Sequence, residues 1–415
     1  MLLKTILNRI EKHSSFVYHS ARFAGDAAER LEIQVRARRG SRPVCSCCCR
    51  RRPAYDTLAP RRFQYVPLWG IPVFLVYAMR RVNCRRCGIR VEAVPWAEGK
   101  RQSTISFEWF LAIWARRLSW SEVASVFGTS WETVFRSVER AVEWGRAHTE
   151  YSGIEAVGID EIQWKFGQIY LTLVYQIDVN VRRLIWVGEE RTKQTLDRFF
   201  DWLGEHRIET LRFVCSDMWG PYLQVIRKRA AHCLHVLDRF HIIAHLSKAI
   251  DKVRASEARD LSKRGRGELL KHSRWAILRR PENRTEKDEV KLADILRANL
   301  KTARSVLLRE ELYAFWTYHS PAWAGKFLDA WCRKVMRTRI EPLKKFAAML
   351  RNHRALILNW FEAKALSSGI VEGFNSKAKL TMKKAYGFRT YRAIEVALYH
   401  TLGALPLPDT IHRFC

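Results

Sequence analysis

The central part of the chain alternates short apolar runs with amphipathic segments. Three successive apolar runs predict adjacent strands, at Glu155–Ile162, Ile169–Asp178 and Arg183–Gly188. Two helices and two more strands follow in alternation: helix Thr192–His206, strand Leu211–Asp217, helix Tyr222–Ala231 and strand Leu234–Asp238. This order of elements predicts a mixed α/β domain built on one sheet.

The succession strand-strand-strand-helix-strand-helix-strand is that of an RNase H-like fold, whose first and fourth strands are neighbours at the centre of the sheet. Asp160 and Asp217 are therefore expected side by side, with their carboxylates at one edge. An aspartate at a strand end is most often a turn residue. Glu372 adds a third carboxylate, at the start of a polar, lysine-rich helix. Three converging carboxylates can hold two divalent cations that serve phosphoryl transfer.

Two further acids lie close to this set in the sequence. Asp238 ends the fifth predicted strand and is the rival of Asp217 as second metal ligand. Glu161 follows Asp160 directly and is predicted to point to the opposite face, because successive residues of a strand alternate. The residues alone therefore leave Glu161 outside the site and the choice between Asp217 and Asp238 open.

The long segment between the second and third acids has a helical pattern. Its main amphipathic stretches are Val253–Leu270, Asp288–Leu308 and Pro342–Leu358. Charges alternate along these stretches, as is typical of exposed helices. The sequence therefore predicts an all-helical insertion at residues 246–364, which interrupts an α/β core formed by residues 151–245 and 365–415.

Residues 99–150, upstream of the sheet, have the layout of a helix-turn-helix. Ser119 and Glu122 fit a capping box that begins the first helix. Gly128 permits a tight turn, and Thr129 or Ser130 caps the second helix. The second helix is expected to present four side chains to a DNA groove: Trp131, Thr133, Arg136 and Arg140. The alternative is an ordinary helical hairpin.

Two cysteine pairs within residues 41–98 are spaced as zinc ligands. Cys45-Ser-Cys-Cys48 and Cys84-Arg-Arg-Cys87 each fit C-x-x-C, and two such pairs supply four thiolates for a tetrahedral site. A strand-turn-strand pattern between the pairs, at Phe63–Tyr77, suits a zinc-ribbon-like module.

The first pair is crowded by two more cysteines. Cys47 and Cys49 form an overlapping C-x-C, which leaves the ligand register of this pair open. Free thiols in a reducing cell are the alternative to zinc. Arg85 and Arg86 lie inside the second pair and are expected to contact DNA phosphates.

The net charge of the chain indicates which kind of molecule it binds. Among 415 residues, Lys and Arg number 73 and Asp and Glu number 42, which gives a formal net charge of +31. Such a charge attracts polyanions. No apolar run has the ~20 residues of a membrane span, and the N-terminus has no secretory pattern, so residues 1–40 are predicted to be a helical segment of a cytoplasmic protein. Nucleic acid is the expected partner.

Four motifs together carry a family resemblance. They are Gly158-Ile-Asp160-Glu161, Ser216-Asp217-Met218, Asp238-Arg-Phe-His241 and Glu372-Gly-Phe-Asn375-Ser-Lys377, and Ala385-Tyr-Gly-Phe-Arg389 closes the set. From about Cys45 to about Leu402, the chain resembles bacterial DDE transposases of the ISL-three insertion-sequence family. The resemblance implies a catalytic triad of Asp160, Asp217 and Glu372 with magnesium or manganese. It also implies that Asp238-x-x-His241 is the motif that follows the second acid, which ranks Asp217 above Asp238.

The resemblance and the chemistry suggest further roles. His241 is expected either near the scissile phosphate or as a brace of the fold. Candidates for contacts with the DNA backbone lie on or just after the helix of the third acid: Asn375, Lys377, Lys379 and Lys383. The implied function is binding of terminal inverted repeats, metal-dependent strand cleavage and strand transfer into target DNA. It would be carried out at the bacterial nucleoid by a homodimer or a larger synaptic oligomer.

Two other functions are compatible with the sequence. One is a catalytically silent DNA-binding regulator derived from a transposase, although a silent site has no reason to keep three acids. The other is an RNase H-like nuclease or resolvase without strand transfer. Inverted repeats that bracket the gene would favour the transposase.

Overall fold

A computed structural model describes residues 3–26, 29–279, 281–298, 300–363 and 369–409. The chain divides into two units, one formed by Met1–Glu150 and Thr381–Cys415 and the other by Tyr151–Leu380. The boundary expected between residues 364 and 365 lies outside the described residues. No described helix has both the length and the apolar character needed to cross a membrane.

The first unit begins with helix α1 (Leu3–Ile10) and a six-stranded sheet. The strands are β1 (Phe16–Ala24), β2 (Arg30–Ala37), β3 (Val44–Cys45), β4 (Ala54–Leu68), β5 (Ile71–Cys84) and β6 (Gly88–Ala93). They are ordered β1-β2-β5-β6-β3, and β4 also pairs with β5. Phe63, Val73, Leu75 and Trp96 are fully buried in the core under this sheet.

The N-terminal segment differs from the prediction. We expected residues 1–40 to be helical, but among the described residues of this segment only Leu3–Ile10 forms a helix, and β1 and β2 pair as antiparallel strands. Phe16 and Tyr18 are buried at alternate positions of β1, as Ile33 and Val35 are in β2. This period of two is the strand pattern.

Three helices follow the sheet: α2 (Ile105–Ala115), α3 (Trp120–Val126) and α4 (Trp131–Ala147). Ser119 and Glu122 form the capping box of α3, and Ser130 caps α4 through the backbone N–H of Thr133. Gly128 in the turn between α3 and α4 has a φ of +58°, a conformation that favours glycine. The apolar side of α4, with Val134 and Val138, is buried.

The second unit is built on a five-stranded sheet. Its strands are β7 (Ala156–Lys165), β8 (Ile169–Ile177), β9 (Arg182–Glu189), β10 (Phe213–Ser216) and β11 (Leu234–Leu237). They are ordered β11-β10-β7-β8-β9, with β7, β8 and β9 antiparallel and β10 parallel to both β7 and β11. The first and fourth strands of the unit, β7 and β10, are therefore neighbours. Cys215 pairs with Gly158, and this register brings the carboxyl ends of β10 and β11 beside Asp160.

One face of this sheet is covered by α5 (Lys193–Leu203), α6 (Glu205–Thr210) and α7 (Gly220–Arg229). The odd-numbered residues Val157 and Ile159 of β7 face this side. They pack with Phe199, Phe200 and Tyr222 in the core between the sheet and the helices. Asp160 is an even position of the strand, so it faces away from α5 and α7, whereas Glu161 faces towards them.

A helical segment follows β11. Its α-helices are α8 (Arg239–Lys263), α9 (Arg274–Leu278), α10 (Glu286–Arg297), α11 (Lys301–Tyr313), α12 (Pro321–Met336), α13 (Glu341–Asn352) and α14 (Arg354–Glu362), and short 3₁₀ turns lie at Gly267–Leu270, Pro281–Asn283 and Ala314–Thr317. They share a core of their own, in which Leu246, Ile250, Trp331 and Phe346 are buried.

These helices have bounds that differ from the predicted ones. Helix α8 begins at Arg239, directly after Asp238, because Asp238 is its N-cap. The stretch predicted as one helix, Asp288–Leu308, is divided into α10 and α11. Both carboxylate oxygens of Glu257, on α8, accept hydrogen bonds from the backbone N–H groups of Lys301 and Thr302 at 2.9 and 2.7 Å, which stabilises a new helix start. A cap supplied by a distant helix leaves no local sequence signal.

The chain ends with α15 (Gly369–Lys384) and α16 (Tyr391–Leu402). In the second unit, the start of α15 packs on the sheet face opposite α5 and α7. The rings of Phe374 and Tyr175 are stacked with centroids 4.8 Å apart. In the first unit, Arg392 of α16 forms ion pairs with Glu139 and Glu143 of α4.

Candidate active site and metal centres

Asp160, Asp238 and His241 form a group of potential metal ligands at the carboxyl end of the parallel strands. Their ligand atoms all lie within 4.8 Å of one another. His241 Nε2 lies 3.4 Å from Asp160 Oδ2 and 3.9 Å from Asp238 Oδ2. Asp160 and Asp238 are both buried, and His241 is partly buried. Two carboxylates and an imidazole are a suitable ligand set for a divalent cation such as Mn²⁺.

The start of α8 holds two of these residues in place. Asp238 accepts a hydrogen bond from the backbone N–H of Phe240 at 2.7 Å, and His241 follows in the first turn of the helix. Burial lowers the pKa of His241, but the hydrogen bond with Asp160 and the charges of Asp160, Asp238 and Asp217 together raise the pKa to about 9. In the absence of a metal, the imidazolium therefore neutralises the neighbouring carboxylates at neutral pH.

Asp217 lies at the end of β10 but has different partners. Its Oδ2 accepts a hydrogen bond from Arg191 Nη2 at 2.8 Å, and its Oδ1 accepts one from the backbone N–H of Trp219 at 3.0 Å. The Nε of Arg191 lies 2.6 Å from Glu161 Oε1. Among the described residues, Asp217 does not belong to the ligand group of Asp160.

Glu161 is part of this second cluster, on the α7 side of the sheet. Burial, and then the charge of Asp217, raise the pKa of Glu161 to about 8, although Arg191 opposes the shift. The alternation of side chains along a strand predicted the direction in which Glu161 points, but no sequence pattern indicated a function for it. Arg191 lies outside every motif, so no sequence signal indicated it.

Glu372 lies on α15, where two neighbouring side chains contact the sheet. Asn375 donates a hydrogen bond from Nδ2 to Asp160 Oδ2 and accepts one from the Tyr175 hydroxyl at 2.8 Å. Val371 is buried against Gly158. Glu372 itself is exposed, one helical turn before Asn375. Like Asp217, Glu372 is outside the group of described ligand atoms around Asp160.

Asn375 was expected to contact the DNA backbone. In the structure its side chain is buried and both of its polar atoms are bonded within the protein. It joins the helix of Glu372 to the strand of Asp160. Tyr175, its other partner, was not singled out by the sequence, since it reads as one more apolar residue of a central strand.

The remaining candidates for DNA contact are mostly accessible. Exposed side chains are those of Trp131, Arg136, Arg85, Arg86, Lys377, Lys379 and Lys383. Thr133 is half-buried, and its hydroxyl lies 3.1 Å from that of Ser130. Arg140 is paired within the first unit, at 2.6 Å from Glu98 and 2.8 Å from Glu108.

The four predicted zinc ligands, Cys45, Cys48, Cys84 and Cys87, lie together, with all Sγ atoms within 4.8 Å of one another. The Sγ atoms of Cys48 and Cys84 are 3.7 Å apart. Burial raises the pKa of Cys84, but N–H groups from Arg86 and Cys87 lower it to about 6. Donors directed at the sulfur favour the thiolate, which is the form that binds zinc.

The two cysteines that left the register open are both outside this group. Cys47 and Cys49 are exposed. Cys45 is fully buried, and backbone N–H groups of Cys48 and Cys47 lower its pKa. The geometry therefore selects the register of Cys45 and Cys48, and the residues fit a tetrahedral zinc ion.

These features define a class: a multidomain α/β protein with a cysteine-rich module and with a buried group of two aspartates and a histidine beside its second sheet. Residues 157–398 match the family model of the ISL-three (ISL3) DDE transposases, whose description is "Transposase". The match covers more than half of the chain, and the protein therefore belongs to this transposase family of insertion sequences. DDE transposases act on DNA and generally use divalent metal ions.

Two curated relatives are similar over most of their length. The transposase for insertion sequence element IS1557 of Mycobacterium tuberculosis is 30% identical over 404 residues, which cover 92% of this chain and 90% of the relative. The transposase for insertion sequence element IS1001 of Bordetella parapertussis is 29% identical over 346 residues, which cover 83% of this chain and 84% of the relative.

Proposed function

We propose that this protein is a DNA transposase that binds the terminal inverted repeats of an insertion sequence and catalyses metal-dependent strand cleavage and strand transfer. The observation that carries the proposal is the group of potential metal ligands formed by Asp160, Asp238 and His241. Asp217 directly follows β10, the strand that pairs with the strand of Asp160. Family membership supports the general activity. It does not by itself assign the residues.

The catalytic unit is proposed to be an RNase H-like core. The sheet order β11-β10-β7-β8-β9, with the first three strands antiparallel and the last two parallel to the first, supports this assignment. The helical segment between β11 and α15 supports the proposed insertion at residues 246–364. The remaining proposed boundaries are those of the sequence analysis.

Asp160, Asp217 and Glu372 are the proposed ligands of magnesium or manganese, and Asp238 is the alternative to Asp217. Bound cations supply activation of the attacking water or 3′-hydroxyl and stabilisation of the leaving oxygen. Asp160 is supported best, since it faces Asp238, His241 and Asn375 at once. Asn375 is proposed to set the distance of the Glu372 helix from Asp160, and His241 to hold a proton between the two aspartates in the metal-free protein.

DNA recognition is proposed for the first unit. Helices α3 and α4 form the proposed helix-turn-helix, with Trp131 and Arg136 exposed at the start of α4. The cysteine group is proposed to bind zinc and to present Arg85 and Arg86 to phosphates. Because both ends of an element must be held together, we propose a homodimer or a larger synaptic oligomer that acts at the bacterial nucleoid.

The test is a cleavage assay on labelled duplexes that carry the element's own ends, with Mg²⁺ or Mn²⁺. We expect nicking at the ends by the wild type and none by Asp160→Asn, Asp217→Asn or Glu372→Gln. Asp178→Asn is the matched control, because Asp178 also follows a strand but bonds to Gln176 and to the backbone of Glu155.

Each other outcome has a definite meaning. Loss of cleavage in Asp238→Asn with survival in Asp217→Asn would make Asp238 the second ligand. Binding to the ends without any cut, in the presence of either metal, would refute the catalytic proposal in favour of a silent DNA-binding regulator. Cleavage without joining to target DNA would leave a nuclease.

A further inference from the structure

Arg191 occupies the space between two acids at the edge of the candidate site. Its Nη2 donates to Asp217 Oδ2 at 2.8 Å, and its Nε lies 2.6 Å from Glu161 Oε1. The guanidinium also lies over the ring of Trp219, 4.5 Å from the centroid. The charge-assisted hydrogen bond with Asp217 and the aromatic face of Trp219 together hold the arginine in one orientation.

The backbone before Arg191 is held in an unusual conformation. Glu190 has a φ of +71°, which a residue with a side chain rarely adopts. Its carbonyl accepts a hydrogen bond from the Thr172 hydroxyl at 2.7 Å, and its N–H donates to the carbonyl of Tyr170 at 3.0 Å. Backbone strain that several bonds maintain is concentrated at functional sites. Here it directs the next side chain, Arg191, to the acids.

The arginine also takes an oxygen that the proposed function needs. Asp217 Oδ2 is bonded to Arg191, and Oδ1 is bonded to the backbone of Trp219. Asp160, Asp238 and His241 meanwhile form a ligand group without Asp217. A carboxylate oxygen that accepts a short bond from a guanidinium cannot use the same lone pair for a cation. The bond therefore holds the Asp217 carboxylate towards Arg191, and the carboxylate must turn from this partner to direct that lone pair at the group of Asp160.

We propose that Arg191 is a positioning residue that latches Asp217 away from the metal centre until DNA arrives. The proposal rests on the proposed function, because it assumes that Asp217 is a metal ligand. Arg191 is partly exposed, with 29% of its side chain accessible. A guanidinium binds phosphate through two parallel hydrogen bonds. A DNA phosphate can therefore replace Asp217 as the hydrogen-bond partner of Arg191.

The latch predicts a direct competition between the arginine and the cation. We would measure Mn²⁺ binding to the full-length, zinc-loaded protein without DNA, by electron paramagnetic resonance of the free ion. Arg191→Gln is expected to bind Mn²⁺ about tenfold more tightly than the wild type, which is the equivalent of one charge-assisted hydrogen bond. Arg191→Lys keeps the positive charge but loses the planar guanidinium with its several donors. Its Mn²⁺ affinity is expected to lie between those of the wild type and Arg191→Gln.

A second set of variants separates the latch from simple charge repulsion. Removing any nearby positive charge favours a cation, whereas the latch acts only through Asp217. The gain from Arg191→Gln must therefore vanish in an Asp217→Asn background; a gain that survives there would overturn the latch. Arg229→Gln is the matched control, since Arg229 also bridges two carboxylates, Asp201 at 2.7 Å and Asp197 at 3.8 Å, away from the site.

Two further outcomes separate this inference from the proposed function. If Asp160→Asn leaves Mn²⁺ binding unchanged, the ion binds elsewhere and both the metal centre and the latch are refuted. If Asp160→Asn abolishes binding but Arg191→Gln equals the wild type, only the latch is refuted. When a saturating, uncleavable end duplex is present, Arg191→Gln and the wild type are expected to bind Mn²⁺ with equal affinity. A difference in Mn²⁺ affinity that persists with DNA bound would show that DNA does not release Asp217 from Arg191. Thermal unfolding of each variant would show that it is folded.

Discussion

Replacement of Gly158 by alanine tests how the helix of Glu372 is seated on the sheet. Gly158 lies two residues before Asp160 on β7. A Cβ at this position would lie 2.5 Å from Val371 Cγ2 and 3.4 Å from Ile177 Cγ2. Val371 is buried and directly precedes Glu372. The added methyl group must therefore displace the start of α15 or the strand that it covers.

The size of the effect follows from this distance. Carbon atoms in contact are normally ~3.5–4.0 Å apart, so the clash requires a shift of about 1 Å. Overpacking of this kind costs about 1–3 kcal/mol in the free energy of unfolding. A displacement of about 1 Å at a catalytic group can lower the rate about 100-fold. A 100-fold lower rate corresponds to about 2.7 kcal/mol in activation free energy, which is at the upper end of the expected loss of stability.

The assay is urea unfolding combined with cleavage of end duplexes. Val371→Ala removes the clashing methyl groups, at a cost of about 2 kcal/mol when made alone. The double variant Gly158→Ala/Val371→Ala should be more stable than the sum of the single changes by at least about 1 kcal/mol, and it should recover cleavage. Gly373→Ala, on the same helix, is the control, because its added Cβ meets no atom within 4 Å. Wild-type cleavage by Gly158→Ala, or a strictly additive double variant, would refute this account of the seating.

Three other predictions concern the same centres. Because the folded pKa of His241 is about 9, above its ordinary ~6.5, its stabilisation of the metal-free protein is complete below pH ~6.5 and is lost as the pH rises through about 9. The difference in unfolding free energy between wild type and His241→Gln should fall from about 3 kcal/mol to near zero over that range; a constant difference would contradict it. Tyr175→Phe should cost about 1–2 kcal/mol in urea unfolding, since the buried Asn375 amide oxygen loses its donor; no loss would mean that a water replaces the hydroxyl. Cys48→Ser should abolish stoichiometric zinc in elemental analysis and lower the melting temperature, whereas Cys47→Ser should do neither; equal zinc in both would refute the register.

Much of the second unit was predictable because its signals are local. Each strand of the second unit has an apolar run, and each helix that covers it has an apolar face. The order of these elements placed β7 beside β10, as the structure has them. Ser119 and Ser130 correctly predicted the starts of α3 and α4. A capping side chain accepts a hydrogen bond from a backbone N–H of the first turn of its own helix, so the signal is local. The spacing of the cysteines likewise nominated the four that lie together.

The site was less predictable, because its contacts join residues that are far apart in the chain. Periodicity placed Asp160, Asp217 and Asp238 at strand ends, but it could not assign their partners. The partner of Asp217 is Arg191, presented by a strained backbone at Glu190. This hydrogen bond depends on the relative positions of the loops that follow β9 and β10. Neither loop has a sequence pattern that predicts the contact.

The sequence by itself determined the mixed α/β class and the family, and it predicted candidate site residues, because hydrophobic periodicity, capping and motif spacing are properties of neighbouring residues. Only the tertiary structure decided which of those residues meet. It grouped Asp160 with Asp238 and His241, turned Asn375 inward to Asp160, and paired Asp217 with Arg191. Side-chain direction at the end of a strand depends on packing and charge from distant segments, and these act only once the chain has folded.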